Sequence, residues 1–151
     1  MNAAAFDRHG VSVVREIDPN TPAVCVDRHK VLQILVNVLR NAKYAMDEQD
    51  PPVKQLVVRV GTSGPDRVKI VVADNGIGIA AENLTKIFNH GFTTRQTGHG
   101  FGLHSGANAV KEMRGTLSAH SEGLGKGAEF TLELPTTVSR QKAAMPIEAP
   151  V

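Results

Sequence analysis

Arg67-Val68-Lys69-Ile70-Val71-Val72-Ala73-Asp74-Asn75-Gly76-Ile77-Gly78-Ile79 is an apolar, β-branched run that ends on a carboxylate and breaks into alternating glycines. Valine and isoleucine fit a pleated surface, so residues 67–73 read as a strand. A strand entering a glycine loop also opens the doubly wound nucleotide folds, and the neighbouring sequence decides between the two. Those folds need Gly-Lys-Ser/Thr, or Gly-x-Gly-x-x-Gly between a strand and a helix, and neither pattern occurs. Upstream, residues 55–62 form a second β-rich run, joined to the first by Ser63-Gly64-Pro65-Asp66. That is hairpin composition, and the two runs are expected to be antiparallel neighbours.

Further upstream, Val31, Leu35, Val38, Ala42 and Ala45 recur at three- and four-residue spacing until Asp50-Pro51-Pro52. This predicts one long helix, about twenty residues, with Asp27 as its N-cap. Before it lie a valine-rich strand over Val11–Ile17, the turn cluster Asp18-Pro19-Asn20-Thr21-Pro22 and a short second strand at 24–26. Downstream, residues 82–88 read as a short helix, and 89–102 show no period and read as a loop. Leu103, Ala107, Val110 and Met113 mark another amphipathic helix, which Gly115 is expected to end in the left-handed conformation. The runs 116–120 and 128–134, joined by Gly123-Leu124-Gly125-Lys126-Gly127, make a closing hairpin. This order predicts an α+β two-layer sandwich, a mixed and largely antiparallel sheet with about three helices on one face. Residues 1–10 read as a linker, 11–136 as one domain and 137–151 as a flexible tail.

Composition sets the outer bounds. A chain of 151 residues, 41% apolar and 21% charged, is expected to form one soluble globular core. Seventeen Lys and Arg against fifteen Asp and Glu leave +2, spread along the chain, which argues against nucleic acid as a partner. Cys25 is alone, so no internal disulfide is possible. No apolar run reaches the ~20 residues of a membrane span, and a reducing, cytoplasmic setting is expected.

Candidate chemistry gathers in three places. Alternating glycines cost backbone entropy in either helix or strand, so Gly76 and Gly78, and again Gly98, Gly100 and Gly102, need a reason such as close approach to a ligand. The second cluster, Gly98-His99-Gly100-Phe101-Gly102-Leu103, runs into a helix start, where unpaired amides and the dipole favour an anion. Asp74 closes an apolar strand, and its carboxylate suits an exocyclic amine such as that of adenine, with Ile77 and Ile79 against the ring; a loop-capping aspartate is the plainer reading. On the long helix Gln33, Asn37 and Asn41 form a polar line at four-residue spacing. Asparagine is a mediocre helix former, so the pair suggests a task, and an amide oxygen at Asn41 suits a magnesium ion carried by a triphosphate.

In this order these elements resemble the boxes of the Bergerat-fold ATP-binding family, which includes histidine kinases, type II topoisomerases, mismatch-repair ATPases and a heat-shock chaperone. Leu32–Ala42 resembles the N box, Asp74–Ile79 the G1 box and Gly98–Leu103 the G2 box, while Ile87-Phe88-Asn89-His90-Gly91-Phe92-Thr93-Thr94 stands where histidine kinases keep their F box. The resemblance covers about residues 11–135. It implies ATP between the long helix and a lid, with Asp74 reading adenine and Asn41 holding Mg2+. Gly98, Gly100 and Gly102 would embrace the phosphates, and Tyr44, Gly76, Gly78, Ile79, His99, Phe101 and Leu103 would join them in binding the nucleotide. Hydrolytic relatives keep a glutamate one turn before the magnesium-binding asparagine, and the neutral Asn37 in its place favours phosphoryl transfer over water attack. Thr93-Thr94-Arg95 resembles the lid run of the nitrogen-regulation-like class of sensor kinases, which implies that Arg95 reaches the γ-phosphate. Three positions depart from the pattern: His99 replaces a usual threonine, Tyr44 a frequent basic residue or histidine, and Ala128 a frequent serine or threonine.

The resemblance therefore implies the ATP-binding catalytic domain of a two-component sensor histidine kinase. His9, His29, His90, His99, His104 and His120 all lack the acidic residue and proline that follow an acceptor histidine in this class. The acceptor is expected on a separate dimerisation domain of the same parent protein, with a response regulator downstream and this domain itself a monomer. Two other readings stay open at this point: a nucleotide-binding sensor module without transfer, and an anti-sigma-factor-type serine kinase.

Overall fold

A computed structural model describes residues 10–22, 24, 26–64, 66–89 and 102–136. In chain order these form β1 (Val11–Ile17), α1 (Arg28–Gln49), β2 (Lys54–Thr62), β3 (Arg67–Asp74), α2 (Ala81–Leu84), α3 (Gly102–Glu112), β4 (Thr116–His120) and β5 (Ala128–Pro135). The strands make one sheet in the order β1-β2-β3-β5-β4. Only the β1–β2 pair is parallel, with Val11 opposite Lys54; the pairs β2–β3, β3–β5 and β4–β5 are antiparallel. The parallel pair follows from connectivity, because α1 lies between those strands and a helical crossover returns the chain in the same direction.

The long helix forms where the spacing predicts it. Asp27 caps it, its carboxylate accepting the amides of His29 at 3.0 Å and Lys30 at 3.2 Å. Its buried stripe is Ile34, Val38, Ala42 and Met46. That stripe lies slightly to one side of the row marked by Val31, Leu35 and Ala45, which are only partly buried. The helix ends at Asp50, which is left-handed at φ 49° and returns its amide to the Met46 carbonyl before the two prolines.

The two longer helices, α1 and α3, bury their apolar sides against one face of the sheet. Val11, Leu56, Val72, Phe130, Leu132 and Leu134 from the strands meet Ile34, Val38, Met46, Val110 and Met113 from and beside the helices. Along β5 the inward residues alternate with half-exposed Glu129, Thr131 and Glu133, as one-sided burial of a strand requires. Each large side chain so buried contributes about 1.5–3 kcal/mol.

Two local expectations change. Gly115 is not the left-handed residue after α3; Arg114 is, at φ 61°. The amide of Gly115 bonds the Val110 carbonyl at 2.8 Å and that of Arg114 the Lys111 carbonyl at 3.0 Å, the paired bonds of a Schellman ending shifted by one residue. Gly115 has a different constraint, since a Cβ there would run into the Glu133 carbonyl oxygen of the neighbouring β5. The second early strand reduces to one bridge, Val24 with Thr136. Ala23 and Cys25, residues 1–9 and the tail 137–151 lie outside the described residues. No described helix is long and apolar enough to cross a membrane.

Candidate functional site

β3 lies inside the sheet, so its last residue, Asp74, is flanked on both sides, with Leu56 of β2 and Ala128 of β5 as Cα partners. Burial pushes the Asp74 carboxyl up to about 6, against the opposing pull of the backbone amides of Gly76 and Ala128, which donate to it. The Gly76 bond is 2.8 Å. A carboxylate has room for about four donors, so Asp74 keeps acceptor capacity after these two. Ala128, the position without a hydroxyl, stands directly across the strand from it and is buried.

Beyond Asp74 the chain bends onto α1. The Ile77 amide bonds the Ala45 carbonyl at 2.9 Å. Gly76 presses so near that a Cβ would stand 2.5 Å from the Ala45 carbonyl carbon. Asn37, Asn41 and Ala45 follow one another at four-residue intervals, so they share a side of α1 with about 6 Å of axial rise between successive members. The loop that carries Asp74 therefore meets the helix one turn beyond Asn41 and two beyond Asn37. Both asparagines are half-buried at the edge of the apolar stripe. Tyr44, 45% exposed, directly precedes Ala45 on α1.

The opposite side of the loop is held by the β4–β5 connection. Gly125 donates to the Ile77 carbonyl at 2.6 Å and Gly127 to the Gly76 carbonyl at 3.1 Å, while Ile79 donates to the Ser121 hydroxyl at 3.0 Å. Gly78, at φ 78°, has no room for a Cβ against the Gly123 carbonyl oxygen. The glycines of the first cluster thus meet a demand inside the protein, close backbone packing against α1 and the β4–β5 turn, beyond any demand from a ligand. By sequence alone, residues 123–127 read as a plain connector and Ser121 goes unmarked. The signal was present: glycine stands at every second position there too, as in the loop it braces.

Gly102 opens α3, and Leu103 is partly buried against the core. The His104 ring joins α3 to the end of the α2 region, its Nδ1 lying 3.1 Å from the Phe88 carbonyl oxygen. Thr93, Thr94, Arg95, Gly98, His99, Gly100 and Phe101 lie outside the described residues. Among the described residues the structure thus brings together Asp74, Gly76, Gly78, Ile79 and Ala45, with Asn41 and Asn37 on the adjoining turns.

The model of the family described as histidine kinase-, DNA gyrase B-, and HSP90-like ATPase matches residues 26–138. The sensor histidine kinase ZraS of Klebsiella oxytoca is 39% identical over 117 residues, which are 76% of this chain and 24% of that protein. Sensor protein FixL of Bradyrhizobium diazoefficiens is 34% identical over 135 residues, 89% of this chain and 26% of that protein. The chain thus spans about a quarter of the length of these curated relatives. Among solved structures, the catalytic domain of histidine kinase ThkA superposes with TM-score 0.75 at 23% identity, covering 89% of this chain and 86% of that one, a likeness of fold. Full-length ShkA in complex with AMPPNP superposes with TM-score 0.73 at 25% identity, covering 89% of this chain and 27% of that one.

Proposed function

Since the chain belongs to the histidine kinase-, DNA gyrase B-, and HSP90-like ATPase family, with the Bergerat fold of sensor histidine kinase ATP-binding domains, we propose that it transfers the γ-phosphate of ATP to a histidine. That histidine is carried by a dimerisation domain elsewhere in the same parent protein, and a response regulator receives the phosphate in turn. The observation that carries this reading is the meeting of Asp74 and its glycine loop with the asparagine-bearing side of α1, through the Ile77–Ala45 hydrogen bond. ShkA, of the same fold, was solved with an ATP analogue.

In this reading the Asp74 carboxylate accepts the adenine amine, and Gly76, Gly78 and Ile79 form the wall beside the base. Asn41 offers a neutral amide oxygen. That suits magnesium, which keeps most of its waters, takes one or two protein oxygens and arrives already held by the phosphates. A magnesium ion held there by Asn41 would supply positive charge against the phosphates. Gly98, Gly100 and Gly102 would embrace the phosphates and Arg95 would reach the γ-phosphate, while Thr93, Thr94, His99, Phe101 and Leu103 would complete the nucleotide site, with the N-terminus of α3 adding its dipole. Asn37 stands one turn before Asn41, where a glutamate would act as base on water. An amide lacks that basicity, so the phosphoryl group is kept for a protein acceptor. Tyr44 flanks the nucleotide from the exposed side of α1.

Titration with ADP, with and without magnesium, tests the pocket. Asp74→Asn should lose affinity in both conditions, and Asn41→Ala only the magnesium-dependent part. Mixing the chain with the separate histidine-bearing domain and labelled ATP tests the transfer. Indifference of the unmodified protein to adenine nucleotides would end this reading, and tight binding without any transfer would end its kinase half.

A further inference from the structure

We infer that Ser121 is a positioning residue for adenine selectivity, holding the Asp74 carboxylate and the Gly76–Ile79 loop in a single arrangement; the inference rests on the nucleotide site proposed above. A serine hydroxyl has one hydrogen to donate and room to accept two. Ser121 uses all three: it donates to the Gly127 carbonyl at 2.6 Å, and accepts the amides of Ile79 at 3.0 Å and Gly123 at 3.2 Å. The hydroxyl thus ties both ends of the β4–β5 turn to the last residue of the glycine loop.

That turn holds the rest of the loop in place. Gly125 bonds the Ile77 carbonyl and Gly127 the Gly76 carbonyl, while Gly76 in turn donates to the Asp74 carboxylate at 2.8 Å. A Cβ at Gly127 would overlap the Asp74 carbonyl oxygen, so the turn and the end of β3 are in direct contact. The Ser121 side chain is partly buried, and so are Ile77, Gly78 and Ile79. Removing the hydroxyl leaves the Ile79 and Gly123 amides and the Gly127 carbonyl without that partner at once. The loop then gains alternative positions, and the carboxylate loses the fixed orientation that distinguishes an amine donor from a carbonyl acceptor at the edge of a purine. Ser121 acts through the loop and need not touch the nucleotide. Loss of the hydroxyl should therefore weaken discrimination between bases more than binding of phosphates.

The test titrates the 151-residue chain and its Ser121→Ala and Ser121→Thr variants with Mg·ADP and Mg·GDP, alongside thermal melting. For Ser121→Ala the expected result is an ADP affinity reduced about tenfold, the scale of one or two lost partners of partly buried groups. GDP affinity should change less than about twofold, as no added contact to the guanine edge depends on the hydroxyl. Ser121→Thr, which keeps the hydroxyl, should retain most of the ADP-to-GDP ratio. If Ser121→Ala does not fold, Ser121→Cys, similar in size and a weak hydrogen-bonding group, gives the same reading. Equal losses for both nucleotides, or an unchanged ratio, overturn the inference while leaving the nucleotide site intact. An unmodified chain that binds neither nucleotide removes that site itself, and the inference with it.

Discussion

The carbonyl of Ala45, near the end of α1, accepts the amide of Ile77 at 2.9 Å, and Gly76 lies against the same carbonyl group. One peptide group of the long helix thus sets where the glycine loop sits, and through Gly76 where the Asp74 carboxylate points. Gly76→Ala should be destabilising because the added methyl meets backbone, which cannot rotate aside. A cost of about 2–3 kcal/mol is expected from such overpacking, read as a lower denaturant midpoint. Gly64→Ala gives the contrast: Gly64 is left-handed, at φ 83°, but a Cβ there meets nothing within 4 Å. Its cost should stay near the ~1 kcal/mol of backbone strain alone. Equal effects from the two variants would remove the Ala45 contact as the reason for Gly76.

Asp74 should set opposite pH dependences for stability and for binding. Its carboxyl is raised from 3.8 to about 6 by burial, so the folded protein holds this proton more tightly than the unfolded chain. Below 3.8 both states are protonated and the group costs nothing; stability is lost as pH rises through 6, by about 3 kcal/mol for roughly two pH units. Asp74→Asn, which stays neutral, should therefore melt higher than the starting protein at pH 7 and lose that advantage near pH 4. Nucleotide affinity should run the other way, falling as pH drops through 6, because a protonated carboxyl is a poorer acceptor for an amine. Melting curves and ADP titrations between pH 4 and 8 check both. An Asp74→Asn protein less stable than the parent at pH 7 would contradict the burial cost.

Asp27→Ala should separate helix stability from the site. Asp27 is exposed and caps α1 through the amides of His29 and Lys30. Its loss should cost about 1 kcal/mol in thermal melting. Asn37 lies about 15 Å further along the helix axis, so the ADP affinity of the folded protein should be unchanged. A large change in affinity would mean that the start of α1 couples to the nucleotide.

What the sequence made legible followed from patterns that are local. Asp27, the four-residue spacing along α1 and Pro51-Pro52 bound the helix to within about a residue, and Ser63-Gly64 with Asp66 marked the hairpin correctly. The parallel pairing of β1 with β2 was less readable, since it depends on where α1 returns the chain and not on the composition of either strand. The same limit applied at the site. Asp74 stood out because a carboxylate closing an apolar strand needs an explanation, but Ser121 lies more than forty residues away and has no pattern of its own. Its importance comes from the antiparallel β3–β5 register, which places the β4–β5 turn over the glycine loop. The glycines themselves pointed to close approach without saying to what, and part of the answer is the protein's own backbone.

Arg114 and Gly115 should respond to substitution with opposite signs. The end of α3 needs a left-handed residue, and Arg114 fills that place at φ 61°, a conformation costing a non-glycine residue about 1 kcal/mol. Its carbonyl accepts the Arg67 guanidinium at 3.2 Å, and that backbone bond survives any side-chain change. Arg114→Gly should accordingly stabilise the protein by up to about 1 kcal/mol, less the entropy glycine adds to the unfolded chain. Gly115 has an ordinary φ and owes its identity to space, since a Cβ would collide with the Glu133 carbonyl oxygen and press on Val110. Gly115→Ala should cost about 2–3 kcal/mol and loosen the contact between α3 and β5. Denaturant midpoints of the two variants decide the assignment. Were Gly115 the left-handed residue, as composition alone suggests, Arg114→Gly would be destabilising, through the glycine penalty near a helix end.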